Sequence, residues 1–197
     1  MNYRSLARQT SSAATEPVSL TEAKHHCRVD STADDSYITA LISTVRAYAE
    51  TYCDMTFVGP TQYVMRLDSF PAEIRLPKPP MFASGTATAV EVTYKLNDTG
   101  VEATLPENEY RVDREATPGT IRPPYGGTWP SYRVDYSCVT VRWWAGSSSH
   151  DPRLKAAILM IVDHLYRQRS AVESMSMQEV PLGAKALLDS IKWGAYR

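Results

Sequence analysis

The chain has 197 residues, of which 43% are hydrophobic and 22% are charged, and its formal net charge is -1. This mixture is typical of a folded globular protein and excludes a disordered or fibrous chain. A net charge so close to zero provides no basic field for neutralising phosphates, so tight binding of nucleic acid is not expected.

The first 16 residues are polar and show no hydrophobic period, which predicts a flexible N-terminal arm. Ser19, with Glu22 three residues later, is a capping-box pattern that typically begins a helix. The apolar positions that share one face of this helix are Leu20, Ala23 and Cys27. A short helix that ends near Val29 is therefore predicted.

A second, longer helix is predicted to begin at Asp34 and Asp35, because the helix dipole favours negative charge in the first turn. Its apolar residues recur every three or four positions, as in a helix buried on one side. These residues are Ile38, Leu41, Ile42, Val45, Tyr48 and Tyr52.

Residues 62–146 show a pattern typical of β-strands and turns. Nine of the 13 prolines lie there, and the apolar residues alternate. A hairpin is predicted at the turn sequence Asn-Asp-Thr-Gly, residues 97–100. The alternating residues before this turn are Val90, Val92, Tyr94 and Leu96. Tyr110 and Val112 are expected on a further strand.

The last predicted strand places its residues on two faces by simple alternation. Val139, Val141 and Trp143 are expected to face the core. The residues expected on the opposite face are Thr140, Arg142 and Trp144. We therefore predict that Trp143 is buried and that Trp144 is available for assembly.

Asp151 followed by Pro152 is an N-cap and first-turn pair that begins a third helix. Its apolar stripe consists of Leu154, Ala157, Ile158, Ile161, Val162 and Leu165. The cations Arg167 and Arg169 lie at its end, where the dipole favours them. Residues 170–179 are expected to form a mobile connection to a short final helix. That helix carries Leu187, Leu188, Ile191 and Trp193.

These elements predict an α+β fold with two lobes. Residues 17–61 and 147–197 are expected to form a helical lobe of three to four helices from both chain ends. Residues 62–146 are expected to form an antiparallel β lobe inserted between the second and third helices.

No catalytic, cofactor or metal site is predicted. His25, His26 and Cys27 are adjacent, and neighbours on a helix point about 100 degrees apart, so they cannot converge on one ion. His164 stands alone, and the sequence contains no GxSxG, HExxH or phosphate-loop motif around the pair Gly126 and Gly127.

The three cysteines, Cys27, Cys53 and Cys138, include no CxxC pair and are expected to be free thiols in a reducing compartment. No signal-peptide core and no window of roughly 18 apolar residues is visible, so we expect synthesis in the cytoplasm and no membrane partner.

One set of aromatic residues could bind a ligand. It consists of Tyr125, Trp129, Tyr132, Tyr136, Trp143 and Trp144. Such residues can stack on a glycan, which leaves a carbohydrate- or protein-binding module as an alternative function. Aromatic side chains also supply much of the buried area of a lobe of this size, and we favour core packing.

Several segments, in order, resemble the head-tail connector (adaptor or head-completion) family of long-tailed bacteriophages, in the subgroup with a β insertion. The segments before the insertion are 17–24, 28–30, 34–35 and 48–50. Those within it are 67–68, 70–71, 74–77, 110–113, 126–130 and 141–146, and those after it are 156–158, 164–169 and 181–188. The resemblance spans about residues 17–193.

The resemblance implies a structural virion protein, not an enzyme, with no cofactor. It implies a ring of copies of this chain, twelve when bound, that docks under the portal protein and continues the DNA channel without sequence-specific DNA contacts. A tail-completion or tail-terminator protein would follow it in the neck. We expect the copies to associate head to tail around a rotation axis, because a ring requires it.

The C-terminal segment, residues 181–197, is expected to be the principal portal-docking element. The expected interface residues are Trp144, Arg167, Arg169, Lys185, Leu187, Leu188, Ile191, Lys192, Trp193, Tyr196 and Arg197. The alternative is that this amphipathic segment packs on the subunit's own helices.

Overall fold

The structure, a computed structural model, describes residues 3–9, 15–82, 90–168 and 180–194. Its contacts divide the chain into two compact units, residues 1–14 with 58–148 and residues 15–57 with 149–197. The first unit contains the strands and the second contains the helices. The predicted α+β class is confirmed, with antiparallel sheets between helices from both chain ends. The predicted bounds of the two lobes, residues 17–61 with 147–197 and residues 62–146, stay a prediction.

The described residues of the helical unit form four helices. They are α1 (Leu20–Cys27), α2 (Asp35–Cys53), α3 (Pro152–Arg167) and α4 (Leu182–Ile191). Within the described ranges, none of them is both long enough and apolar enough to cross a membrane.

The capping box that begins α1 is present as predicted. The backbone N–H of Glu22 donates to Ser19 Oγ at 3.2 Å, and the backbone N–H of Ser19 donates to the Glu22 carboxylate at 2.8 Å. This second bond is the main reason why the pKa of Glu22 lies below its usual value. The helix ends at Arg28, which adopts a left-handed conformation with φ of 58°.

The predicted helix stripes are confirmed except at their margins. In α2 the buried residues are Ile38, Ile42, Val45, Ala49, Glu50 and Cys53. In α3 they are Leu154, Ala157, Ile158, Ile161 and Val162. Tyr48 and Leu165 are exposed, so their predicted burial is wrong. Both occupy the edge of an apolar stripe, where only the neighbouring elements decide whether a side chain is covered.

In the part of the β unit that the structure describes, the strands form two antiparallel sheets. The five-stranded sheet has the order β1-β2-β8-β4-β5, and the three-stranded sheet has the order β3-β7-β6. The strands are β1 (Ser5–Arg8), β2 (Thr61–Leu67), β3 (Ile74–Arg75), β4 (Glu91–Lys95), β5 (Glu102–Thr104), β6 (Arg111–Asp113), β7 (Thr120–Arg122) and β8 (Val139–Ala145).

Residues 1–16 were expected to form a flexible arm, but Ser5–Arg8 form the strand β1. This strand pairs with β2 in antiparallel register, and backbone bonds extend the pairing at both ends, from Arg4 N to Arg66 O at 2.9 Å and from Gln9 N to Gln62 O at 2.8 Å. Such bonds join main-chain atoms and leave little trace in side-chain periodicity. Residues 1–2 and 10–14 lie outside the described residues.

The predicted hairpin is confirmed as β4 and β5, which pair in antiparallel register. Gly100 in its turn has φ of 72°, a conformation that glycine adopts without the steric cost of a side chain. Val112 lies on β6 as predicted. Tyr110 immediately precedes that strand, is buried, and its hydroxyl donates to Val90 O at 2.6 Å.

The predicted two faces of β8 are confirmed. Trp143 is 1% exposed and stacks on Tyr63, with 5.7 Å between the ring centroids. Trp144 is half-buried and lies on the opposite face, across from Gln62 on β2. Because β8 is the central strand of its sheet, Trp143 anchors the core of the β unit.

Candidate functional site

The predicted interface residues lie in three places. Trp144 is on β8, Arg167 is at the end of α3, and most of the others are on or just after α4. Arg169, Tyr196, Arg197 and the predicted mobile connection, residues 170–179, lie outside the described residues. Trp144 belongs to the β unit, and the other described residues belong to the helical unit.

Trp144 lines a cavity of about 330 Å³ on one face of the five-stranded sheet. The other lining residues include Gln62, Glu91, Glu107 and Arg142. Arg142 forms an ion pair with Glu91, with 3.0 Å between nitrogen and oxygen. Buried apolar residues, among them Val90 and Leu105, also line this cavity, so the Trp144 side chain lies in a mixed polar and apolar environment of the kind found at partner surfaces.

Arg167 lies beside a smaller cavity, of about 280 Å³, and forms an ion pair with Asp163 at 2.8 Å. The cavity is lined in part by His26 and His164. Burial raises the pKa of the neighbouring Cys27 thiol, and the Asp163 carboxylate raises that pKa further. In the parts of the chain that the structure describes, no group of three or more His, Cys, Asp or Glu side chains is placed to hold a metal ion.

The apolar side of α4 faces the subunit's own core. Leu188 is 0% exposed and, with Ala184, belongs to the core of the helical unit. Leu187 and Ile191 are half-buried against the same core. Leu188 is therefore a core residue rather than the surface residue that was predicted. The position of Leu188 in the apolar stripe fits either a core residue or an interface residue. Only the packing of α4 on α2 and α3 decides between the two.

Polar contacts also attach α4 to the other helices. The Tyr52 hydroxyl of α2 donates to Asp189 Oδ1 at 2.6 Å, and this bond is the main reason why the pKa of Tyr52 is raised to about 12. The ammonium group of Lys192 lies 4.8 Å from the centroid of the Tyr52 ring. From α3, Arg153 donates to the Ser190 carbonyl at 3.3 Å. These contacts are the ones expected if the C-terminal segment packs on the subunit's own helices.

Other parts of the α4 surface are exposed, and Lys192 is among them even though its ammonium group also contacts the Tyr52 ring. Lys185 and Lys192 are exposed, and Leu182 is 77% exposed. We call these three residues the α4 outer face. Trp193, just after the helix, is half-buried. Among the residues of the predicted docking element that the structure describes, the α4 outer face offers a partner one apolar side chain and two cations.

A buried charged network at the end of α2 was not predicted. The Glu50 carboxylate accepts from Arg46 at 2.8 Å and from the backbone N–H of Phe57 at 3.0 Å. Arg46 also donates to Glu16 at 2.9 Å. The four-residue spacing of Arg46 and Glu50 was a usable signal for the first pair. The contact with Glu16, thirty positions away in the chain, left no local signal.

The aromatic group is largely engaged in contacts within the β unit. Phe70 stacks on Trp129 at 4.6 Å between centroids and meets the Tyr132 ring edge to face at 5.1 Å. Trp129 Nε1 donates to the carbonyl of Pro71 at 2.6 Å. Among the predicted aromatics, Tyr125 and Tyr136 are exposed. Core packing, the interpretation favoured from the sequence, therefore holds for Trp129, Tyr132 and Trp143.

Comparisons with known proteins agree with this geometry. Residues 17–78 match the family model of phage gp6-like head-tail connector proteins, which confirms the resemblance predicted from the sequence motifs. No curated protein sequence matches the chain at a significant level.

Three solved structures with the same fold come from gene transfer agent particles, and each is 18% identical to this chain. The neck of an empty particle, computed with C6 symmetry, has a TM-score of 0.71 over 95% of both chains. The virion of a native particle has a TM-score of 0.67, over 95% of this chain and 94% of that one. The neck of a native particle, computed with C12 symmetry, has a TM-score of 0.60, over 92% and 95%.

Proposed function

We propose that this chain, whose residues 17–78 match the model of the phage gp6-like head-tail connector family, is a structural connector subunit in the neck of a tailed phage or phage-like particle. The observation that carries the proposal is the family match over α1, α2 and the first strands that follow them. The shared fold across 92–95% of this chain and neck proteins of phage-like particles supports it.

The symmetry of those necks supports a ring. Neck structures computed with C6 and C12 symmetry place identical chains around a rotation axis. A closed ring requires heterologous, head-to-tail contacts, in which two different surfaces of the chain meet. We infer the same arrangement here, with twelve copies when bound. The free chain can stay monomeric where its partner provides the template for closure.

The partners follow from this place in the particle. We propose that the ring docks under the portal protein, that a tail-completion or tail-terminator protein binds its other side, and that DNA passes through without sequence-specific contacts. The near-neutral net charge of -1 suits a channel that must not hold DNA tightly. The chain would be made in the bacterial host cytoplasm and would act through its surfaces, without catalysis or a cofactor.

Deletion of the gene from the encoding phage or prophage tests this function. We expect heads and tails to accumulate separately, as seen by electron microscopy of the lysate, and the chain supplied from a plasmid should restore joined particles. An antibody to the chain should label the neck. Fully joined, infectious particles in the absence of the chain would contradict the proposal.

We further propose that the α4 outer face contacts the portal protein. Lys185→Glu should weaken co-purification with the portal of the same phage by about tenfold, the factor that corresponds to the loss of one charged contact of about 1.4 kcal/mol. The melting temperature should stay unchanged, because the Lys185 side chain is exposed.

Arg111→Glu on β6 is the matched control, since it makes the same charge change at another exposed position. It should leave portal binding intact. Equal loss of binding in both variants would indicate a general charge effect, and unchanged binding by Lys185→Glu would remove the α4 outer face from the interface.

A further inference from the structure

The five-stranded sheet ends in two strands that are each paired on one side. Within the residues that the structure describes, β1 pairs with β2 and β5 pairs with β4, and neither has a second neighbour. A strand at the edge of a sheet presents backbone N–H and C=O groups that can pair with another chain. The described part of the five-stranded sheet therefore has two open hydrogen-bonding edges.

An exposed apolar side chain adjoins each of these edges. Tyr3, two residues before β1, is 45% exposed, and Val101, directly before β5, is 61% exposed. Burial of apolar surface adds to the backbone hydrogen bonds when an edge strand is covered. Each edge thus offers both polar backbone groups and apolar area to a partner.

The two edges carry opposite charges. At β1 the charged side chains are Arg4 and Arg8, whereas β5 carries Glu102 and is followed by a short 3-10 helix, Glu107–Glu109, that adds Glu107 and Glu109. All five are exposed. Arg4 pairs with Asp68 at 3.4 Å, yet its side chain remains 46% exposed.

These charges select one of the three possible pairings between copies. Pairing β1 with β1 would bring arginines together, and pairing β5 with β5 would bring glutamates together, and both arrangements are repulsive. Pairing β1 with β5 joins opposite charges. This pairing is heterologous, so it continues from copy to copy instead of stopping at a two-fold dimer.

We propose that β5 of one copy pairs with β1 of the next copy, so that the five-stranded sheet continues from subunit to subunit. The occupant of each edge is a second copy of this chain. The inference rests on the proposed connector function, because a ring supplies the head-to-tail arrangement that the charges favour. It assigns to that ring a subunit contact made by the β unit.

Strand register identifies a pair of positions that reports the contact. Ala7 lies opposite Val64, Val64 opposite Arg142, and Arg142 opposite Glu91. Thr104 lies opposite Thr93, two residues along β4 from Glu91. Ala7 and Thr104 are therefore on the same face of the sheet, and both are exposed.

Cysteines at these two positions test the pairing in assembled particles. The native cysteines, Cys27, Cys53 and Cys138, are buried and should not react with a short bismaleimide cross-linker. Particles that carry the double variant Ala7→Cys/Thr104→Cys should yield a ladder of multimers on a denaturing gel. Each single variant should yield only monomers.

The outcomes separate the interface from the function. Dimers from either single variant would show an isologous contact and overturn the proposal. Particles that contain the chain but yield no ladder from the double variant would also overturn it, while the connector function would stand. Particles that lack the chain would overturn both.

Charge reversal supplies an independent test. Arg4→Glu/Arg8→Glu gives the chain two acidic edges, and Glu102→Arg/Glu107→Arg gives it two basic edges. Each variant alone should lower the yield of joined particles by about tenfold through like-charge repulsion. Production of both variants in one cell should restore the yield, because alternating copies again bring opposite charges together. Failure of the mixture to restore it, with both variants folded, would overturn the proposal.

Discussion

Replacing Trp143 with alanine should lower the free energy of unfolding by about 3–5 kcal/mol, the range measured when large aromatic residues are removed from protein cores. The side chain is 1% exposed and stacks on Tyr63 in the core of the β unit. Its removal loses the transfer free energy of the indole ring and leaves a cavity, because β8 is held between β2 and β4 and cannot move inward. Urea titration followed by far-ultraviolet circular dichroism measures the loss.

Trp144→Ala is the control, because it removes the same side chain from the next position of the same strand. Trp144 is half-buried on the opposite face, so we expect a loss of about 1 kcal/mol or less. Its main effect should be on the assembly of particles. Equal destabilisation by the two substitutions would show that the two faces of β8 do not differ in solution as they do in the structure.

Replacing Glu50 with alanine should cost about 3–5 kcal/mol, the range for removal of one partner from a buried ion pair. Glu50 is buried and accepts hydrogen bonds from Arg46 and from the backbone N–H of Phe57. Without the carboxylate, the Arg46 guanidinium keeps the partly exposed Glu16 but loses its buried partner. The backbone N–H of Phe57, which lies after the end of α2, also loses the Glu50 carboxylate as its acceptor.

Glu50→Gln distinguishes the charge from the hydrogen bonds. The glutamine carbonyl can still accept from Phe57, so we expect a smaller loss than for alanine. Glu109→Ala, at an exposed position, should change the free energy of unfolding by less than about 0.5 kcal/mol. Calorimetry of the three purified variants compares them directly. A Glu50→Ala variant as stable as Glu109→Ala would mean that the network does not stabilise the helical unit.

The helices and the two-faced strand could be predicted because their signals are local. The Ser19 and Glu22 cap and the Asp151 and Pro152 start depend on contacts within one helical turn. The alternation along β8 follows from strand geometry, whichever strands become its neighbours. The conformation of such elements can be predicted from a few consecutive residues.

The edge strand β1 and the ion pair of Arg46 with Glu16 could not be predicted in the same way. β1 exists because its backbone bonds to β2, which lies more than fifty residues away, and its few residues have no distinctive pattern. The candidate site was predicted unevenly for a related reason. Trp144 and Lys185 are exposed or half-buried as expected, whereas Leu188, on the same apolar stripe as Leu187, is enclosed by the core.

The sequence by itself determined the helices, the strand β8 and the family that residues 17–78 resemble, because periodicity, caps and motifs are properties of neighbouring residues. Only the tertiary structure decided which side of α4 is covered and which strands end the sheet. An amphipathic helix presents one apolar side whatever covers it, and an edge is defined by the strand that is absent beside it. Both properties depend on packing between segments far apart in the chain.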